Sequence, residues 1–198
     1  MTTAYLFVYC LLWPFFNLFH PCKAIGRDHI PEGGALVCAN HTCLSDPLFA
    51  VYAFRKEHRL RFMAKSELMR VPVLGWILSK AGVFGVERGR SDVGAIKLAL
   101  KVLRGGEKLM LFPEGTRQKE DDGSEAKTGA AMLALRTGVP IVPVYIPRKK
   151  KWFAPTPVII GEPYYPVVKG KRATSEDYRT VADDLMVRIY TLGEQGMA

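Results

Sequence analysis

Two short stretches hold residue types able to do chemistry together. Asn40-His-Thr-Cys-Leu-Ser-Asp46 sets a histidine five positions before a carboxylate, and Phe112-Pro-Glu-Gly-Thr-Arg117 puts Glu, Gly and Arg in one turn. A histidine held by a carboxylate is a general base fixed in one tautomer: one ring nitrogen donates to the acid, the other keeps its lone pair. Gly115 would let backbone N–H groups approach an anion, and the Arg117 guanidinium can fork onto phosphate oxygens. Glu114 is awkward beside an anionic ligand; it fits better as an orienter of Arg117 or another cation, or as acceptor for a substrate hydroxyl. Together the base and the anion loop imply activation of a hydroxyl on an anionic lipid. Singly, each has a plainer reading: a helix cap beside a loop histidine, and a turn with a surface salt bridge.

For the first pair to meet, the chain must turn. Residues five apart in a continuous helix are separated by about 140°, so His41 belongs in a turn before a helix and Asp46 at or near its N-cap. The flanking sequence agrees. Ala35 to Ala39 is an apolar run that reads as a buried strand feeding Asn40-His41, and Ser45-Asp46-Pro47 marks a helix start with proline at the first helical position, continuing through Leu48 to Phe54.

Strand and helix signals then alternate. Leu60 to Ala64 and Ala81 to Glu87 read as strands, with a short helix at Pro72 to Ser79 between them. Ser91-Asp92 caps a helix whose apolar positions Val93, Ile96, Leu100 and Leu103 share a face, and Gly105-Gly106 stops it. Lys108 to Phe112 is a strand ending in the Glu114 loop, which places that loop on the sheet edge where open α/β folds bind ligands. Thr128 is positioned to cap a helix ending at Gly138; Val139 to Ile146 and Pro157 to Ile160 are extended. Thr174 to Asp177 opens a final helix with the stripe Tyr178, Val181, Leu185, Ile189 and Leu192. The pattern predicts an α/β fold: a single-domain mixed, largely parallel sheet flanked by helices.

At 198 residues and 48% hydrophobic content the chain can bury one substantial core. Its net charge of +9 is unevenly spread: residues 1–22 carry no charged side chain, residues 23–110 hold 15 basic and 8 acidic, and residues 111–198 hold 13 basic and 11 acidic. A basic body behind an uncharged apolar leader suits an anionic membrane surface. The sequence has no nucleic-acid-binding signature. The leader's apolar stretch, Ala4 to Phe19, is interrupted by Pro14 and slightly short for a span of roughly 17–25 residues. It lacks the basic start and cleavage site of a removed signal peptide. Tyr5, Tyr9 and Trp13 recur at helical spacing, suited to the headgroup level. A monotopic or re-entrant anchor, a span, and a segment folded onto the body all remain open, and Lys23 and Arg27 put the body on the cytoplasmic side. The expected division is a membrane-associating helical segment over 1–22 and a domain over 23–198. Cys10, Cys22, Cys38 and Cys43 have neither C-x-x-C spacing nor a histidine cluster, so neither zinc nor a disulfide framework is implied. His20, His29 and His58 stand apart from any carboxylate pattern. Arg148-Lys-Lys-Lys151 beside Trp152-Phe153 reads either as a solvated loop or as a headgroup contact.

The chain from about Lys23 to Tyr190 resembles the membrane-associated glycerolipid acyltransferases typified by 1-acylglycerol-3-phosphate acyltransferase. N-H-x-x-x-x-D matches Asn40 to Asp46; an extended G-x-x-x-x-x-R matches Gly82 to Arg88. The third block matches Phe112 to Arg117, and Ile141-Val-Pro-Val-Tyr145 matches the fourth. Lys65-Ser-Glu-Leu68 with Pro72 and Gly75 resembles the family's K-x-E-L…P…G stretch. Cys43 stands where members often carry Ser, and Glu87 where Asp is often found. The resemblance implies that His41 deprotonates an acceptor hydroxyl that attacks an acyl thioester directly, with Asp46 orienting the imidazole. It implies that Arg88, Arg117 and Lys65 hold the acceptor phosphate, that Glu114, Gly115 and Thr116 line the acceptor site, and that Pro143 shapes the acyl-donor side. No cofactor or metal is called for beyond acyl-CoA or acyl-carrier protein as co-substrate. Three function classes therefore compete: acyl transfer to a lysophospholipid, most simply 1-acyl-sn-glycerol-3-phosphate; a non-catalytic membrane-binding protein; and a lipid or thioester hydrolase using the same base on water. Cys43 lacks a second base and is not read as a nucleophile.

Overall fold

The computed structural model describes residues 3–87, 92–115, 126–168, 170 and 172–196. In chain order the elements are α1 (Thr3–Phe19), β1 (Cys22–Ile25), a 3-10 turn (Arg27–His29), β2 (Ala35–Ala39), α2 (Asp46–Phe54), β3 (Leu60–Lys65), α3 (Ser66–Arg70), α4 (Leu74–Ala81), β4 (Val83–Val86), α5 (Val93–Arg104), β5 (Lys108–Leu111), α6 (Gly129–Thr137), β6 (Ile141–Tyr145), β7 (Thr156–Ile160) and α7 (Ser175–Gly196). One seven-stranded sheet runs β1-β7-β6-β2-β5-β3-β4. The five strands from β6 to β4 are mutually parallel; β7 pairs antiparallel with β6 and parallel with β1. This is the α/β architecture with a largely parallel sheet that the alternating pattern predicts.

Burial on both faces explains the strand sequences. In β2, Leu36 and Cys38 enter the core beneath α5, α6 and α7, while Ala35, Val37 and Ala39 enter the opposite core against α2. A strand covered on both sides has no polar face, which is why Ala35 to Ala39 reads as a continuous apolar run. After β2 the chain moves outward through β3 and β4, returns to place β5 beside β2, then crosses to set β6 on β2's other side. The carboxyl ends of β2, β5 and β6 therefore converge where the strand order reverses, the usual ligand-binding crevice of such sheets.

Several elements differ from expectation. The inward face of α5 is Ala95, Ala99, Val102 and Leu103, whereas Val93 is exposed, because alanines let the helix approach its neighbours closely. Asp92 alone caps that helix among the described residues, accepting from Ala95 N at 2.9 Å; Ser91 lies outside them. The cap of α2 also differs: Ser45 makes no side-chain cap bond and Asp46 is the first helical residue. Pro47 has no N–H to be capped, and Asp46 is turned back toward the preceding loop. Neither β1 nor α3 is signalled by periodicity, each spanning only four or five residues.

Residues 3–19 form a 17-residue helix despite Pro14. Among the described residues no helix is long and apolar enough to cross a membrane. One face of α1 packs on α2 through Tyr9 against Tyr52 and Phe16 against Phe49 and Tyr52, with ring centroids 4.9–5.1 Å apart. Phe7, Leu11, Trp13, Phe15 and Leu18 remain exposed.

Candidate active site

Three loops leave the carboxyl ends of β2, β5 and β6 and are stitched to one another. The first stitch is Asn40, buried at the end of β2. Its amide donates to Ile146 O at 2.9 Å and accepts from Ile146 N at 2.8 Å, satisfying both backbone groups of the residue that follows β6. The second is Glu114, 3% exposed, in the turn after β5. It accepts from the backbone N–H of His41 at 2.9 Å and from the Tyr190 hydroxyl of α7 at 2.9 Å. The backbone N–H of His41 is thus anchored to the turn after β5, and the side chain of the residue before it to the loop after β6.

The His41 ring is held on two sides. It stacks on Phe112, with centroids 4.1 Å apart and planes 21° from parallel. Its Nδ1 lies 3.0 Å from Asp46 Oδ2. That same oxygen accepts from Thr42 N and Cys43 N, each at 2.7 Å, so the loop wraps a carboxylate fully buried at the start of α2. Asp46 Oδ1 pairs with Lys150 Nζ at 2.8 Å. Burial by itself would push the Asp46 carboxyl up, but hydrogen bonds from His41 and Cys43 N and the ion pair with Lys150 together hold it below its ordinary value of 3.8. Asp46 is therefore ionised at neutral pH and can only accept. Nδ1 must then carry the proton, leaving the lone pair on Nε2. Nε2 has no hydrogen-bond partner among the described residues, and the side chain is 16% exposed. Such an arrangement can serve as a base and its orienter, with one open nitrogen.

Gly115 has φ +72°, and a β-carbon there would sit 2.7 Å from the Lys127 side chain. Glycine thus admits both the turn and a lysine folded over it. Lys65 ends β3 and is exposed; Pro143 is buried in the middle of β6, its carbonyl accepting from Gly161 N at 2.8 Å. Arg88, Thr116 and Arg117 lie outside the described residues. The structure thus brings His41, Asp46, Glu114 and Gly115 together, with Glu114 directed at the backbone of the histidine. Two contributors escape sequence reasoning. Tyr190 sits one position from the apolar stripe of α7, and Lys150 is one of four consecutive cations with nothing local to single it out. Cys43 serves through its backbone N–H, while its Sγ lies 3.9 Å from Arg148 O. A cleft of about 530 Å³ lined by Tyr9, Trp13, Phe16, Arg27, Tyr52 and Arg55 opens at the other end of α2. Its lining includes neither His41 nor Asp46.

The family model for acyltransferases matches residues 22–147, well over half the chain. The chain belongs to the acyltransferase family. It is 34% identical over 131 residues to 1-acyl-sn-glycerol-3-phosphate acyltransferase of Borreliella burgdorferi, a match covering 65% of this chain and 52% of that protein. It is 26% identical over 162 residues to the enzyme of the same name from Pseudomonas aeruginosa, covering 76% and 62%. The match thus spans about half the length of the Borreliella relative. The crystal structure of the 1-acyl-sn-glycerophosphate (LPA) acyltransferase PlsC from Thermotoga maritima superposes with a TM-score of 0.71 at 27% identity, over 98% of this chain and 80% of that one. The matched stretch, 22–147, runs from the first residue of β1 to just past β6 and includes all three stitched loops up to Pro147.

Proposed function

We propose that the protein transfers an acyl group from an acyl thioester to the free hydroxyl of a lysophospholipid, most simply 1-acyl-sn-glycerol-3-phosphate, giving phosphatidic acid for phospholipid biosynthesis. The observation that carries this reading is the His41–Asp46 pair with its open Nε2. It is a triad lacking its own nucleophile, so the substrate supplies the hydroxyl. Nε2 takes the proton of that hydroxyl as its oxygen attacks the thioester carbonyl. The tetrahedral intermediate then expels the thiolate, which leaves as thiol on receiving the proton from the imidazolium. Asp46 remains ionised throughout and stabilises the transient positive charge. The relatives named for 1-acyl-sn-glycerol-3-phosphate support the same acceptor. Arg88, Arg117 and Lys65 are proposed to hold its phosphate, Glu114, Gly115 and Thr116 to line the acceptor site, and Pro143 to shape the donor side; Glu114 also anchors the backbone of His41.

The donor is acyl-CoA or acyl-carrier protein. The partner surface is an anionic membrane on its cytoplasmic face, to which the protein binds without spanning. The exposed apolar face of α1 supports this, together with Trp152 and Phe153, each about two-thirds exposed beside Phe19 at the end of α1. The test is purified protein in vesicles with labelled acyl-CoA or acyl-carrier protein and a panel of lyso-lipids, with His41→Ala in parallel. Phosphatidic acid should form from lysophosphatidic acid and fall by about 10³-fold or more in the variant. Transfer surviving the substitution, or free fatty acid as the main product, would overturn the reading.

A further inference from the structure

We propose that Lys150 is a positioning residue of this site: its ammonium clamps the outer oxygen of Asp46 and thereby sets how tightly the protonated His41 is held. The proposal rests on the acyl-transfer reading of the dyad. Of the basic run Arg148 to Lys151, Lys149 and Lys151 are exposed, whereas the side chain of Lys150 is 5% exposed. Its Nζ lies 2.8 Å from Asp46 Oδ1, 3.4 Å from Thr42 Oγ1 and 5.6 Å from the centre of the Phe49 ring. The loop is held so that this can happen, because Asn40 ties Ile146, four residues earlier, to the end of β2. An ammonium this enclosed is shielded from a phosphate arriving from outside; what it touches is the back of the dyad.

The charged and titratable groups around His41 give the clamp its consequence. The loop after β2 supplies the Cys43 thiol, and α2 supplies Asp46. The turn after β5 supplies Glu114, bonded to the histidine's backbone and to Tyr190 from α7. Lys127 folds over Gly115 ahead of α6. The loop after β6 supplies Lys150. The ring's stacked face meets Phe112. Both oxygens of Asp46 are committed, one to three N–H donors and one to Lys150. Lys150 is the permanent positive charge among those contacts. Remove it, and the full negative charge of Asp46 acts on the imidazolium. The base then holds its proton at higher pH and returns it to the leaving thiolate less readily.

The test compares Lys150→Met, Lys150→Gln and Lys150→Arg with Lys101→Met, the same apolar change at an exposed position on α5. Two readouts are taken: the pH titration of the His41 ring by ¹⁵N nuclear magnetic resonance without substrate, and kcat and KM across pH. Loss of the charge should lower kcat by about 10–100-fold, by analogy with the outer partners that orient metal-ligating histidines from behind. KM for the lyso-lipid should stay within about twofold, since no substrate contact is removed. The His41 titration and the acidic limb of kcat/KM should move together to higher pH, and Lys150→Arg should restore both. Should Lys150→Met not fold, Lys150→Gln gives the same two readings without the charge. An unchanged His41 titration in a folded charge-free variant, or a raised KM with unchanged kcat, would overturn the proposal. Absence of transferase activity in the parent protein would instead sink the acyl-transfer reading, while the His41 titration still decides the clamp.

Discussion

Asp46→Asn is the sharpest probe of the site, because it changes charge without shape. The asparagine oxygen must take the Oδ2 position, where Thr42 N, Cys43 N and His41 Nδ1 all point hydrogens. Its NH₂ then faces Lys150 Nζ across the 2.8 Å now spanned by the ion pair, donor against donor. At an effective dielectric constant of 20, the lost attraction at 2.8 Å is roughly 6 kcal/mol. Much of that offsets the cost of burying the two ions. The net loss on removing one partner should be about 3–5 kcal/mol, because the other is left buried and unpaired. Catalysis should fall further than stability explains. A neutral amide cannot stabilise the imidazolium, and the corresponding change in a serine-protease triad costs about 10⁴ in kcat. Urea unfolding and thiol release from acyl-CoA measure the two effects separately. The double variant Asp46→Asn/Lys150→Met removes the stranded ammonium, so it should regain stability over Asp46→Asn while remaining catalytically dead. Asp46→Asn with parental kcat, or a double variant no more stable than the single, would refute the reasoning.

Two further outcomes follow from the same contacts. Asn40→Ala strips partners from both Ile146 N and Ile146 O in a buried place; at about 1–3 kcal/mol per orphaned group it should cost roughly 2–6 kcal/mol, read as a lower urea midpoint, and an unchanged midpoint would contradict the stitch. The acid side of the stability profile should carry Asp46's signature. Its folded value lies below its ordinary 3.8, so its stabilisation is complete above about pH 5 and is lost as pH falls through the lower folded value. Asp92 and Asp177, capping α5 and α7, are depressed in the same direction by backbone N–H bonds and add to the decline. Asp46→Asn should therefore flatten the acid slope without abolishing it; an identical slope in the variant would exclude Asp46 as a contributor.

How far the sequence reaches is clearest at particular residues. His41 and Asp46 are legible because their spacing forces a choice: five apart, they meet only if a turn and a helix start separate them, and Pro47 marks that start. Strand β2 is legible because burial on both faces removes polar residues from it. The membrane-facing expectation for residues 3–19 reaches the composition but not the packing. Tyr9 and Phe16 are apolar enough for lipid, yet they stack on Tyr52 and Phe49. Hydrophobicity alone does not distinguish a protein neighbour from a lipid one. The face of α5 is read in part: Leu103 is buried and Leu100 packs beside it, but Val93 is exposed and Ala95 and Ala99, buried for being small, are missed because side-chain size looks like the signal.

The sequence by itself therefore determined the fold class, the pairing of His41 with Asp46, and the edge of the sheet where they stand, since each depends on local periodicity and short spacing. Only the tertiary structure decided what holds them. Glu114, Tyr190 and Lys150 lie 73, 149 and 109 positions from His41, and partners so remote leave no periodic trace. Nothing local tells Lys150 from Lys149 or Lys151. Chain connectivity through β6, with Ile146 tied to Asn40, selects which of three identical side chains turns inward to meet a buried carboxylate.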